Sequence, residues 1–327
     1  MERQFMEFYH AALQTCRACR LETGEKVVVF SDSQKNPVLA DAFYAAADSL
    51  GGEVVAVYVN AQKAPLVDPP AAAVAAMTEA DLVFDMATQP WLYTASTRKI
   101  LEGGARMLQF LVSDESIIAR YPTPEISERC ARLAARLQGE VVHIASDLGT
   151  DLTVRRGGRP VHYQDGAVTF PGDWDSLGVV VCAFAPVESE ADGVVVVNGP
   201  VYAGPDLCYH VNTPFEMVFE GGRVVDIRGE GGDAARLRAY LEAVGDPNAY
   251  VIAHAGYGMD PRAGIQGVVD IGNWESYDGG INIAIGSNNI PQLQGRTACK
   301  SHVDAFVLGA DMTVDGRPVI RNGRFVD

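Results

Sequence analysis

Residues 25–60 read EKVVVFSDSQKNPVLADAFYAAADSLGGEVVAVYVN, and this stretch decides the fold of the first part of the chain. Val27–Phe30 is a continuous apolar run, rich in β-branched residues, that ends in small polar ones. Such a run is the pattern of a buried parallel strand leading into a loop. Residues 37–50 then carry apolar side chains at helical spacing, and Gly51-Gly52 stops them. Residues 53–60 return to a β-branched run. Strand, helix and strand in succession predict a parallel pair joined by a helical crossover.

The same alternation extends outward. Residues 1–20 predict a helix, 71–80 a helix, 80–87 a strand, 96–108 a helix, 107–113 a strand and 123–139 a capped helix. Residues 1–140 are therefore expected to form a doubly wound α/β domain with a parallel sheet. From Glu140 the texture changes to short valine-rich runs and glycine-bearing turns, as in residues 149–170, 193–202 and 217–232. Residues 141–327 are expected to form a mixed, β-rich domain, with one helix at 232–245 and a hairpin at the end.

Composition narrows the function. Of 327 residues, 48% are hydrophobic and 21% charged, the balance of a globular protein with a sizeable core. The net charge of −16 repels phosphate backbones and anionic headgroups, so neither nucleic acid nor membrane is expected as a partner. No apolar run approaches the ~20 residues that span a bilayer. The opening segment has acids and no continuous apolar stretch, so it does not read as a signal peptide, and a cytoplasmic location is expected. The six cysteines should then be reduced, and Cys16 and Cys19 lack the second pair that a zinc ribbon needs. Neither a phosphate-binding loop nor a dinucleotide fingerprint occurs, so no nucleotide cofactor is expected.

The strongest local signal is His302-Val303-Asp304. In a strand, residues two apart face the same way, so an imidazole and a carboxylate stand side by side. They are placed to hold one metal ion or to hydrogen-bond each other. Six histidines and 42 acids in 327 positions give roughly 0.8 such pairs by chance, so context must decide. His254 supplies it: it lies where an apolar run opens into the glycine-rich AGYGMDP, a strand end of the kind that presents functional side chains. Two imidazoles and one carboxylate suit non-haem Fe(II) with coordination positions left open, and they suit catalytic zinc as well. Glu216, in NTPFE, reads either as a buried base or as a solvated strand residue. His143 reads as a core histidine and Asp151 as a turn residue.

Five segments, GTDLT (149–153), NTPFE (212–216), AHAGYGMDP (253–261), GGINIAIG (279–286) and SHVDAF (301–306), resemble in order and spacing the motifs of the M29 metallopeptidases, the aminopeptidase T type. The resemblance covers most of the chain and implies an M29-like fold. It departs at two places: those peptidases carry a ligand glutamate where this chain has His254, and a ligand histidine where it has Asn282. The altered set resembles that of the 2,5-dihydroxypyridine 5,6-dioxygenases, Fe(II) ring-cleaving enzymes of the same fold. His302 and Asp304 stand 48 and 50 residues beyond His254, spacings that suit this subgroup.

The resemblance implies Fe(II) as cofactor, a small hydroxylated N-heteroaromatic and O₂ as substrates, and a homo-oligomer. It implies that Glu216 accepts a proton or orients a ligand, that Tyr93 reaches the site, and that His210 and Asn282 line the substrate pocket. Two alternatives remain at this level. One is a metalloaminopeptidase or related hydrolase using Zn or Co. The other is a binding protein on the same scaffold.

Overall fold

The computed structural model describes residues 2–204, 206–266 and 271–326. They fall into two compact units, Met1–Ser127 with Gln164–Val179, and Glu128–Tyr163 with Val180–Asp327.

The first unit is built on a five-stranded parallel sheet in the order Glu53–Val59, Lys26–Asp32, Leu82–Met86, Arg106–Gln109 and Trp174–Ser176. Helices alternate with the strands, as the sequence predicts. Their starts are set by local chemistry: the side chains of Asn36, Thr94 and Ser113 accept hydrogen bonds from the amides of Val38, Thr97 and Ser116. Phe43, Phe84 and Phe110 pack edge to face, with centroids 4.8–6.2 Å apart, and fill the core beside the central strands.

Two expectations are corrected here. The helix predicted over 96–108 spans only Ala95–Glu102, because Gly103 and Gly104 end it, Gly104 at φ +97°. The strand then starts at Arg106 rather than 107. The chain also does not divide once at residue 140: residues 164–179 return to the first unit, where Trp174–Ser176 extends the parallel sheet beside Arg106–Gln109.

Arg106 anchors this unit. Its Nη2 donates to both Glu25 carboxylate oxygens at 2.7 Å, and its Nη1 donates to the Cys19 carbonyl. The guanidinium side chain is 8% exposed, so removing it leaves a half-buried carboxylate and a buried carbonyl without their donor. Arg106→Ala is expected to cost about 3 kcal/mol of stability in denaturant unfolding. A loss below about 0.5 kcal/mol would show that water replaces the guanidinium without penalty.

The second unit holds two antiparallel sheets. One has eight strands in the order Arg223–Arg228, Phe215–Glu220, Ala191–Val197, Asp151–Arg155, Val141–Ala145, Asp311–Val314, Arg317–Arg321 and Arg324–Phe325. Its last two strands form the expected hairpin, closed by Asn322-Gly323 at φ +45° and +67°. His143, expected in the core, lies half-exposed on this sheet, and its Nε2 is 2.8 Å from Oδ1 of Asp151. Asp151 in turn is a strand residue, not a turn residue.

The other sheet runs Cys208–His210, Pro200–Tyr202, His302–Leu308, Gly280–Gly286, Ile252–Gly258, Val181–Phe184 and His162–Gln164. Its central strands, Ile252–Gly258 and Gly280–Gly286, are buried along their whole length. The helix expected near residue 232 spans Gly232–Val244 and ends at Gly245 in the left-handed conformation, φ +63°.

Candidate metal centre

Cross-strand register puts the three candidate ligands on one face of the seven-stranded sheet. Tyr202 pairs with Asp304, Asp304 with Ala284, and Ala284 with His254. Directly opposite residues share a face, so these four side chains stand in one row across four strands. The adjacent row reads Phe306, Asn282, Gly256 and Ala183. His302 lies opposite Gly286. Positions 183, 256, 284 and 286 on this face carry only alanine or glycine, so the two imidazoles and the carboxylate are the larger polar groups that project from it.

A β-bulge aims His254. Ile252 pairs with Ile285, yet His254 pairs with Ala284, so the strand advances two residues while its partner advances one. Ile252 and His254 therefore face opposite sides although they are two apart. Without the extra residue, His254 would follow Ile252 to the other face.

The ligand atoms converge. Nε2 of His254 lies 3.5 Å and Nε2 of His302 lies 3.4 Å from Oδ1 of Asp304, and the imidazole centroids are 5.2 Å apart. One donor atom from each residue lies within 4.8 Å of the others. Among the described residues this is the only group of three or more His, Cys, Asp or Glu side chains so arranged.

Surrounding groups fix each ligand. Nδ1 of His302 donates to the Ser287 carbonyl at 2.7 Å, so Nε2, which faces Asp304, is the nitrogen left to bind a metal ion. Ser287 is itself tied down: its hydroxyl donates to the Cys299 carbonyl and accepts from the Cys299 amide. Nδ2 of Asn282 donates to Oδ1 of Asp304 at 2.9 Å. Asn288 links the following loop to the His254 strand through the Ala253 carbonyl, 3.2 Å from its Nδ2.

Burial pushes the His254 imidazole down to about 4, with His302 adding to that and Asp304 opposing it, so at neutral pH it is an uncharged donor. Burial works against the charged forms of His302 and Asp304 too. Their mutual attraction outweighs it, raising the imidazole and lowering the carboxyl. This donor set fits a divalent cation: two imidazoles and one carboxylate, buried and fixed from behind.

Asn282 was expected to line the substrate pocket. It sits at the site, and its amide nitrogen braces Asp304. Its Oδ1 is buried without a hydrogen-bond partner among the described residues. Asn282→Ala is expected to weaken metal binding about 10- to 100-fold, measured by competition with a chelator. Unchanged affinity would show that Asp304 holds its orientation unaided.

His210 also lies on this face, two residues from Cys208, which pairs with Tyr202. Its ring meets Trp274 edge-on at 4.9 Å, and Trp274 meets Tyr202 at 6.4 Å. Trp274, on the short helix Ile271–Ser276, packs with Phe306, Tyr202 and Cys208 into an aromatic wall beside the ligands.

Glu216 is not brought into this cluster. It stands on Phe215–Glu220 in the eight-stranded sheet, 42% exposed, with a guanidinium nitrogen of Arg228 at 3.8 Å. Tyr93 belongs to the first unit, half-buried in the turn before the helix Ala95–Glu102. Sequence reasoning missed Glu275, whose Oε1 is 3.5 Å from Nδ2 of Asn282. Burial, reinforced by the charge of Asp304, raises its carboxyl well above the usual range. Nothing in NWES distinguishes this glutamate from the chain's other acids; only the fold brings it beside Asn282.

Comparison with known proteins follows the same lines. The chain is 26% identical over 329 residues to the 2,5-dihydroxypyridine 5,6-dioxygenase of Pseudomonas putida KT2440, covering 94% of this chain and 92% of that one. The solved structure of 2,5-dihydroxypyridine dioxygenase from Pseudomonas putida KT2440 superposes with a TM-score of 0.86 at 24% identity, over 99% of this chain and 96% of that one. Wild-type AmpT from Thermus thermophilus superposes with a TM-score of 0.71 at 18% identity, over 98% and 99% of the two chains. The M29-like fold implied by the sequence motifs is therefore present. With residues 5–327 matching the family described as NicX, 2,5-dihydroxypyridine 5,6-dioxygenase, the chain belongs to that family.

Proposed function

We propose that this protein is a ring-cleaving dioxygenase acting on a hydroxylated N-heteroaromatic such as 2,5-dihydroxypyridine, with Fe(II) held by His254, His302 and Asp304. The observation that carries the proposal is the convergence of two imidazoles and one carboxylate on one buried sheet face, each within 3.5 Å of a shared oxygen or contributing it. Held by these three residues, Fe(II) would keep coordination positions free and would supply the activation of O₂ that ring cleavage needs.

The chain's own groups do the rest. His254 enters uncharged, so only Asp304 brings negative charge, which favours a site able to take an anionic ring oxygen. Tyr202 and His210, partly exposed and backed by the buried Trp274, are the flat side chains on this face that a planar ring could meet. Oδ1 of Asn282 is a buried acceptor available to a ring N–H or O–H. Discrimination should follow from it: a ring lacking the donor leaves that oxygen unpaired in a buried site. In the overall reaction both atoms of O₂ enter the opened ring, so one O₂ is consumed per ring.

The hydrolase reading needs a glutamate ligand where this chain has His254 and a histidine ligand where it has Asn282, and no second ligand cluster is found among the described residues. Protein prepared anaerobically and loaded with Fe(II) is expected to bind one iron per chain. It should consume one O₂ for each 2,5-dihydroxypyridine, followed with an oxygen electrode and by loss of the ring's absorbance. Release of amine from aminoacyl anilides with Zn(II) or Co(II), without oxygen uptake, would overturn the proposal.

A further inference from the structure

We propose that Asn288 is a positioning residue: it locks the backbone that carries His254 to the loop that orients His302, and so sets the separation of the two imidazoles. The inference rests on the metal centre proposed above and extends it from the ligands to what holds their spacing.

The two histidines stand on different strands, Ile252–Gly258 and His302–Leu308, with Gly280–Gly286 between them. The ladder is interrupted just before His254. The bulge adds Ala253, which is paired in register with neither neighbouring strand. Nδ2 of Asn288 donates to the carbonyl of that added residue at 3.2 Å. This carbonyl lies in the planar peptide that joins Ala253 to His254, so holding it fixes the plane from which the first imidazole hangs. The second imidazole is reached through the backbone of the same residue. The Ser287 carbonyl, which accepts Nδ1 of His302 at 2.7 Å, lies in the peptide that joins Ser287 to Asn288. One residue therefore touches the supports of both ligands, by its side chain on one side and by its own peptide on the other.

Asn288 is itself held from several directions. It is fully buried. Its Oδ1 accepts the Thr297 amide at 2.8 Å, and its amide donates to the Thr297 carbonyl at 3.0 Å. Oε1 of Glu188 lies 3.4 Å from its Nδ2, and Glu188 is fixed by the Arg296 amide at 2.7 Å and by Nη2 of Arg159 at 2.6 Å. A Cβ at Gly295 would collide with the Asn288 carboxamide, so the loop leaves it no second position. Only a carboxamide of this length offers an acceptor to Thr297 and a donor to Ala253 at once. Aspartate has the same shape but only accepts. It would leave the Ala253 carbonyl without its donor and set a second carboxylate against Glu188.

The test uses metal-free protein and Co(II) as the probe, with neither ring nor O₂ present. Affinity is read by competition with a chelator, and ligand geometry by the visible spectrum of the bound Co(II). Asn288→Asp is expected to weaken binding about tenfold and to shift the spectrum. Gly295→Ala, which displaces the same carboxamide without altering it, should act in the same direction. Leu237→Ala, a cavity in the helix Gly232–Val244, should lower the unfolding temperature at least as much while leaving affinity and spectrum unchanged. Wild-type affinity and spectrum in both site variants would overturn the proposal and leave the metal centre standing. An equal shift in Leu237→Ala, or loss of the fold in both site variants, would overturn it too, by making Asn288 a general structural residue. A wild type that binds no Co(II) would remove the metal centre itself, and this inference with it.

Discussion

Replacing Asp304 with alanine is expected to leave a folded protein that no longer retains iron, with ring cleavage slowed by at least about a thousandfold. Oδ1 of Asp304 is the common point of the site, 3.4 and 3.5 Å from the two imidazoles and 2.9 Å from the Asn282 amide. It is also the only anionic ligand, so its loss removes both the geometric centre and the charge that compensates a divalent cation. The fold should survive, because the change takes away a desolvated carboxylate that contributes little packing. Thermal unfolding of the metal-free protein should therefore move by only a few degrees, while iron content falls to background. Full iron content in the variant would show that the ion sits elsewhere. Asp304→Asn sharpens the reading: it keeps the shape and removes the charge, so an intermediate iron affinity separates charge from packing.

Gly286→Ala is expected to cost at least about 3 kcal/mol of stability and to damage metal binding as well. Gly286 has φ +104°, beyond the region that even asparagine tolerates, and a Cβ there would lie 2.3 Å from the Ser301 carbonyl oxygen. That oxygen belongs to backbone and accepts the Ser287 amide at 2.9 Å, so it has nowhere to swing. Ser287 supplies the carbonyl that orients His302, hence the strain passes directly to a ligand. Ala284→Gly, two residues away on the same strand, gains no clash and is expected to cost only about 1 kcal/mol. Comparable thermal midpoints for the two variants would rule this account out.

The alternation of strand and helix around residues 25–60 made the first sheet legible, since periodicity reports directly which residues are buried. The return of residues 164–179 was not legible: a three-residue strand such as Trp174–Ser176 has too little pattern to announce its partner. At the site, residue types carried the signal for His254, His302 and Asp304. The two-residue spacing of His302 and Asp304 held because their strand is regular. His254 shares their face only through a bulge that no alternation rule predicts. Glu216 illustrates the opposite case, a plausible acid in a motif whose strand joins the other sheet. Glu275, Ser287 and Trp274 gain their roles from register and loop path, which are long-range properties.

The excursion of residues 128–163 out of the first unit, and the return at 164, bear on how the protein can be dissected. A fragment stopping near residue 140 would carry a helix that has lost its partners and a raw β-edge at Arg106–Gln109. Joining 1–127 to 164–179 with a flexible tether keeps all five parallel strands together, and a chain spliced in this way is expected to yield the first unit on its own.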